Sequence, residues 1–242
     1  MSIVGINQRA RSSEQKALRR KSVLATAEDY FLEVGYEAFS MAQLAQKAGV
    51  SKGTLYLYFA TREELFLTLY EESLVRWRHQ FRKHLSGPVT DRLFAESLYR
   101  TAMNDGVFVP LLTRLEHVIE HNVTLDRVIE SKRVFIRQID VLAEASAECL
   151  SLGLPQAREI LKTLGVLLIG AARSDQGPYL DREQLPDDIA ALVTSFSSEP
   201  LFVKNAMRII EGVRADTSED HATRANSHER SQATSSSRSG TT

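Results

Sequence analysis

Residues 40–65 read SMAQLAQKAGVSKGTLYLYFATREEL, two short helical patterns around a turn and the start of a third. Ser40 suits the N-cap of the first, because its hydroxyl can take an orphan backbone N–H. Leu44, Ala45 and Ala48 give that helix a narrow apolar face. Gly49 stands where the chain must turn sharply, since glycine enters positive φ at little cost. Val50 fills the angle, and Ser51 caps the next helix. Leu55 and Phe59, four apart, share a face that can bury against the first helix. Lys52, Gly53, Thr54, Tyr56 and Tyr58 are left outward. Two helices joined by a short glycine-containing turn, the second with a cationic and aromatic outer face, form the helix-turn-helix pattern.

On the N-terminal side, residues 1–18 read as a flexible basic arm carrying Arg9, Arg11 and Lys16. Such an arm is either a solvated tail or a source of phosphate and minor-groove contacts. Residues 19–34 read as an amphipathic helix through Val23, Ala27, Tyr30, Phe31 and Val34. Gly35 ends it, and Tyr36 and Phe39 read as core. On the C-terminal side, Thr61 caps a long helix with Glu63 and Glu64 in its first turn, where the helix dipole favours acids. That helix runs past Leu65, Phe66, Leu69, Leu74 and Phe81 towards Leu85, and Ser86-Gly87-Pro88 breaks it.

Every later pattern is helical, at about 91–103, 107–121, 124–152, 155–174, 186–196 and 199–214. After residue 214 the composition turns to Ser, Thr, Arg, Asn and Glu without aromatics, so 215–242 is expected to be disordered. The expected fold class is therefore all-α, with about nine to ten helices. A three-helix head at 19–65, which holds the helix-turn-helix, precedes a helical second domain at 66–214.

Composition bounds the function. Hydrophobic content of 43% and charged content of 25% suit an ordinary globular protein. The single cysteine, Cys149, excludes an intramolecular disulfide framework and fits a reducing cytoplasm; it reads as an apolar filler or a redox sensor. No apolar leader is expected at the N-terminus. The longest apolar run, 164–172, falls far short of the roughly 20 residues that span a bilayer. Residues 1–62 hold nine Lys or Arg against five Asp or Glu, while the whole chain carries −1. A basic head on an acidic body is what a phosphate-binding module joined to a second domain would show.

GVSKGTLYLYFATREELF, residues 49–66, resembles the recognition-helix region of the TetR family of bacterial transcriptional repressors. VLATAEDYFLEVGYEAFSMAQLAQKA, residues 23–48, resembles that family's first two helices. The resemblance is dense over about Val23 to Tyr70. It implies that the outer face of the second short helix enters the major groove of double-stranded DNA. Lys52, Gly53 and Thr54 are then the base-edge candidates: Lys52 can donate to guanine, Thr54 can use its hydroxyl or methyl, and Gly53 lets the backbone come close. Tyr56 and Tyr58 match the family's phosphate-contacting aromatics. Ser40 and Ser51 can offer a hydroxyl and backbone N–H to phosphate. Arg62 stands where the family usually places a lysine at the foot of the fourth helix. Ala42 faces the groove but is too short to read a base.

The resemblance further implies a homodimer on a pseudo-palindromic operator, paired through helices at about 155–173 and 199–214. In the first, Ile160, Leu164, Leu167 and Leu168 are apolar; in the second, Leu201, Phe202, Ala206, Ile209, Ile210 and Val213 are. It also implies a small-molecule effector of the body, neither cofactor nor catalysis, and a cytoplasmic site of action. Candidate effector contacts are Phe94, Tyr99, Met103, Phe108, Leu112, Leu115, His117, Phe135, Ile139 and Leu142, each of which also reads as plain core or surface.

Two other readings stay open. His117, Glu120 and His121 form H-x-x-E-H, and on an α-helix its histidines would share a face at zinc-ligand spacing. A zinc peptidase would need a further carboxylate ligand, which nothing in the sequence identifies. Alternatively, the body only dimerises and takes no effector.

Overall fold

The computed structural model describes residues 3–174 and 185–216, with side chains from residue 14. Its helices are α1 (Ile3–Val34), α2 (Met41–Lys47), α3 (Lys52–Tyr56), α4 (Arg62–Arg82), α5 (Asp91–Met103) and α6 (Phe108–Leu112). A π-helical turn (Leu115–Ile119) and a 3-10 turn (Glu120–Asn122) follow, then α7 (Leu125–Leu150), α8 (Leu154–Ser174) and α9 (Asp187–Ser195). Helix α10 covers 198–216. The described residues contain no strand, so the all-α expectation holds.

The chain divides into two compact units, Met1–Lys83 with Arg100–Ile139, and His84–Tyr99 with Asp140–Thr242. The first is built on α1 and α4. Val23, Leu24, Ala27, Tyr30 and Phe31 recur at helical spacing on α1 and are all buried. Gly35 ends that helix at φ 71°, its N–H bonded to the Phe31 carbonyl at 2.8 Å. The chain then folds back so that Phe39 and Phe66 meet at 4.9 Å between ring centres, edge to face. Phe66 meets Phe31 at 5.6 Å and Tyr36 at 4.8 Å. Further along α4, the Trp77 ring lies 4.9 Å from Phe108 and nearly parallel to it. Arg127 forks onto Glu71 with two bonds of 2.7 Å and donates a third to Thr68 Oγ1 at 3.3 Å. The second unit buries Phe94, Leu98, Leu142, Ile160, Leu164, Leu168, Phe202, Ala206 and Ile210. Within it Arg214 forks onto Asp91 at 2.9 Å, and Tyr99 packs on Phe202 at 5.2 Å.

Several expectations are corrected. Residues 3–18, read as a flexible arm, are helical and continuous with 19–34 in α1. Good helix formers (EQKALRR, 14–20) connect the two parts without proline or glycine. The helix expected over 107–121 is broken after Leu112. The Arg114 carbonyl accepts from both Val118 N–H and Ile119 N–H, at 3.1 and 3.2 Å, which opens the turn to the π form. Asn122 Nδ2 takes the Val118 carbonyl at 2.7 Å, and His121 Nδ1 sits 2.9 Å from the Glu116 carbonyl, so side chains supply partners that an α-ladder would have supplied. Of the expected disordered tail, Ala215 and Asp216 close α10; residues 217–242 lie outside the described residues. No described helix is long and apolar enough to cross a membrane.

Candidate nucleic-acid interface

The frame of the interface is the α2–α3 pair. Helix α2 closes on Gly49, at φ 63°. The Gly49 N–H reaches the Gln46 carbonyl at 3.2 Å and the Val50 N–H reaches the Ala45 carbonyl at 3.0 Å, a Schellman closure that reverses the chain in two residues. Ser51 then caps α3: its Oγ accepts from the Thr54 N–H at 3.1 Å and lies 2.8 Å from Thr54 Oγ1. Leu44, Leu55 and Phe59 are all wholly buried, so the two helices are locked by one apolar seam. At the foot of α4, Thr61 Oγ1 accepts from the Glu64 N–H at 3.0 Å, while Glu64 Oε2 accepts from the Ala60 N–H at 2.7 Å. Reciprocal caps of this kind fix where α4 begins.

What this frame presents outward agrees with much of the expected set. Lys52 and Gly53 are exposed, as is Tyr56; Thr54 and Tyr58 are half-buried. Lys52 Nζ lies 6.0 Å from the Tyr56 ring centre, at the outer limit of a cation–π contact. A Cβ added at Gly53 would meet only Ser51 Oγ, at 3.9 Å. Packing therefore does not demand glycine there.

Two expected residues behave differently. Ser40 occupies the N-cap position of α2, but its side chain makes no capping bond. Arg62 is turned onto its own unit: its guanidinium pairs with Glu63 at 3.0 Å and lies 5.0 Å from the Tyr36 ring centre and 5.6 Å from that of Phe66. Burial pushes the Tyr36 phenol above its usual range, against the opposing pull of Arg62. Other cations of the head are also tethered. Lys47 pairs with Glu33 at 2.7 Å, and Arg20 lies over the Phe59 ring at 4.8 Å. One residue the sequence pattern passed over stands out: Leu57, directly after α3, is 77% exposed.

The effector candidates fall in both units. Phe94 and Tyr99 belong to the second and are buried, the Tyr99 hydroxyl bonded to Ser198 Oγ. Phe108 and Leu115 are buried in the first, where Met103, Leu112, Phe135 and Ile139 are half-buried. Leu142 is buried in the second. His117 is exposed. The zinc alternative loses its geometry, because the i, i+4 spacing presumed an α-helix where the chain forms a π turn and a 3-10 turn. Glu120 pairs with Lys132 at 2.8 Å. Among the described residues no three His, Cys, Asp or Glu side chains are grouped to hold a metal ion. Burial lifts the Cys149 thiol to about 11, which suits the filler reading over a redox sensor.

Residues 23–69 match the family model of bacterial regulatory proteins, tetR family, and residues 71–217 match that of the tetracyclin repressor-like C-terminal domain. An uncharacterized HTH-type transcriptional regulator of Bacillus subtilis, YfiR, is 26% identical over 145 residues, 60% of this chain and 70% of that protein. The fatty acid metabolism regulator protein of the same organism is 31% identical over 61 residues, 25% of this chain and 31% of that protein, so that match spans under a third of the relative. In fold, the chain is similar to a crystal structure described as a possible TetR family transcriptional regulator from Streptomyces coelicolor. The TM-score is 0.54 at 19% identity, covering 81% of this chain and 98% of that one.

Proposed function

Since this chain belongs to the TetR family of bacterial regulatory proteins, a family of transcriptional regulators, we propose that it acts as a repressor, binding a pseudo-palindromic operator as a homodimer and leaving it when a small molecule binds. Each protomer lays the outer face of α3 in the major groove of one half-site. Lys52 and Thr54 address base edges, Gly53 admits the backbone, and Tyr56, Tyr58, Ser40 and Ser51 hold phosphate oxygens. The observation that carries the reading is a short cationic, aromatic helix face held outward by a fully buried seam of Leu44, Leu55 and Phe59. The unspent hydroxyl of Ser40 fits a phosphate contact better than a structural cap. Arg62 reaches a phosphate only by leaving Glu63 and the Tyr36 ring, so it is the weakest member of the set.

The homodimer pairs α8 with α10. Of the apolar residues expected there, Ile160, Leu164, Leu168, Phe202, Ala206 and Ile210 are already buried within the protomer. Pairing therefore falls to what remains outward, including Val166 and Leu201 with the half-buried Leu167, Ile209 and Val213. The effector is an apolar or aromatic small molecule taken up by the body, and the protein works in the cytoplasm, where its DNA is.

The test is a mobility shift on DNA flanking the protein's own gene, run across a salt series with wild type, Lys52→Ala and Tyr56→Phe. Lys52→Ala should weaken binding and relax the preference for guanine at the base pair it addresses. Tyr56→Phe removes only a hydroxyl and should cost about tenfold per half-site, the worth of one hydrogen bond to a charged oxygen. Equal retention of both variants would discredit the assigned face. A wild-type protein that stays monomeric and ignores duplex DNA in dilute salt would sink the proposal as a whole.

A further inference from the structure

The residue that closes α3, Leu57, is more exposed than either neighbouring tyrosine. Leu55 and Phe59 are wholly buried, and Leu57 stands two residues from each. At about 100° per residue that puts it roughly half a turn from both, on the side opposite the buried seam. Its 77% exposure is the highest among the large apolar side chains described. The backbone beneath it is fixed, because the Leu57 N–H donates to the carbonyls of Gly53 and Thr54, each at 3.2 Å. One turn back on the same ridge is Gly53, which has no side chain to stand in front of it. Tyr56 and Tyr58 flank it in sequence, so an apolar side chain projects between two phenols.

We propose that Leu57 is a specificity-determining residue that reads thymine through its 5-methyl group. The inference rests on α3 being the helix that enters the groove. Leucine has neither donor nor acceptor, so it gains nothing from a phosphate oxygen and nothing from the polar base edges. It leaves water favourably only against apolar surface. On the major-groove edges of the bases, the apolar group is the thymine methyl. Gly53 permits the close approach that brings a side chain of this length down to that methyl. The operator half-site should accordingly hold a thymine opposite Leu57.

The experiment uses the full-length protein and a duplex that it selects from random sequence. Each selected thymine is replaced singly by deoxyuridine, which deletes the methyl and keeps the pairing. Binding is followed by fluorescence anisotropy for wild type and Leu57→Ala. Wild type should lose about fourfold per half-site at one thymine, the worth of one buried methyl group. Leu57→Ala should bind the thymine duplex more weakly, yet bind the thymine and deoxyuridine duplexes equally. Its melting temperature should match wild type, since the side chain is exposed. Wild type indifferent to deoxyuridine at every position overturns the inference and leaves Leu57 against deoxyribose or free of contact. So does a Leu57→Ala variant that keeps the wild-type penalty. Failure to select any duplex overturns the proposed function itself.

Discussion

Gly53→Ala should make the protein slightly more stable and a much poorer DNA binder. Gly53 has no positive φ, and the nearest atom to an added Cβ is Ser51 Oγ at 3.9 Å, an ordinary contact. The methyl therefore meets no obstruction within the protomer. Alanine is favoured over glycine in a helix by up to about 1 kcal/mol, and by less in a first turn such as this one. For a chain of this size that is a rise in melting temperature of at most about 2–4 °C. The same methyl stands on the exposed side of α3, between Lys52 and Thr54, where the proposed interface brings the helix closest to the base edges. Pushing the helix back by one carbon strains the base contacts of both residues, each worth about 1–3 kcal/mol when well made. Even partial loss implies a fall in operator affinity of at least about tenfold. Thermal unfolding and anisotropy titration on the selected duplex, run on the same preparations, give both numbers. An alanine variant that binds like wild type would refute close approach by α3. One that melts several degrees lower would refute the local geometry from which the argument starts.

Arg127→Ala should destabilise the first unit by about 3 kcal/mol, because it strands Glu71, which is largely shielded and takes both forks of the guanidinium. Arg127→Lys should recover only part of the loss, since an ammonium cannot fork; urea denaturation compares the three. Burial raises the Cys149 thiol from 9.0 to about 11, and a group raised on folding stabilises the native state below its unfolded value. Stability should therefore be intact up to about pH 9, decline as pH rises from there through about 11, and do so less in Cys149→Ala. At neutral pH a thiol reagent should label the folded protein slowly and the urea-unfolded protein at once.

The helix-turn-helix was legible because its determinants are local. A Schellman turn needs a residue tolerant of positive φ at one place, an N-cap needs a hydroxyl at another, and a two-helix seam needs Leu55 and Phe59 one turn apart. All were found as read. Ser40 shows the limit of such rules: a good capping residue in the capping position whose hydroxyl makes no capping bond. The break after α6 was invisible for a related reason. Pro110 falls in the first turn of α6, where a missing N–H is tolerated, so it does not mark the break after Leu112; the π turn depends on how His121 and Asn122 share the carbonyls behind them. With that turn went the geometry for which H-x-x-E-H was singled out.

By itself the sequence determined that the chain is helical, that its head carries a turn between two short helices, and which face of α3 is apolar. Periodicity and cap chemistry act over one or two turns, so they survive without knowledge of the rest of the chain. Only the tertiary structure decided which outward cations are free. Arg62, Lys47 and Arg20 are held by Glu63 and Tyr36, by Glu33, and by Phe59 in turn. It also decided that Leu57 is left in water beside Gly53. Partners such as Lys47 with Glu33, or Arg127 with Glu71, lie many residues apart. Arg62 finds a carboxylate in the next residue, but for Lys47, Arg20 and Arg127 the carboxylate or ring within reach is fixed by how helices pack, not by the residues beside them.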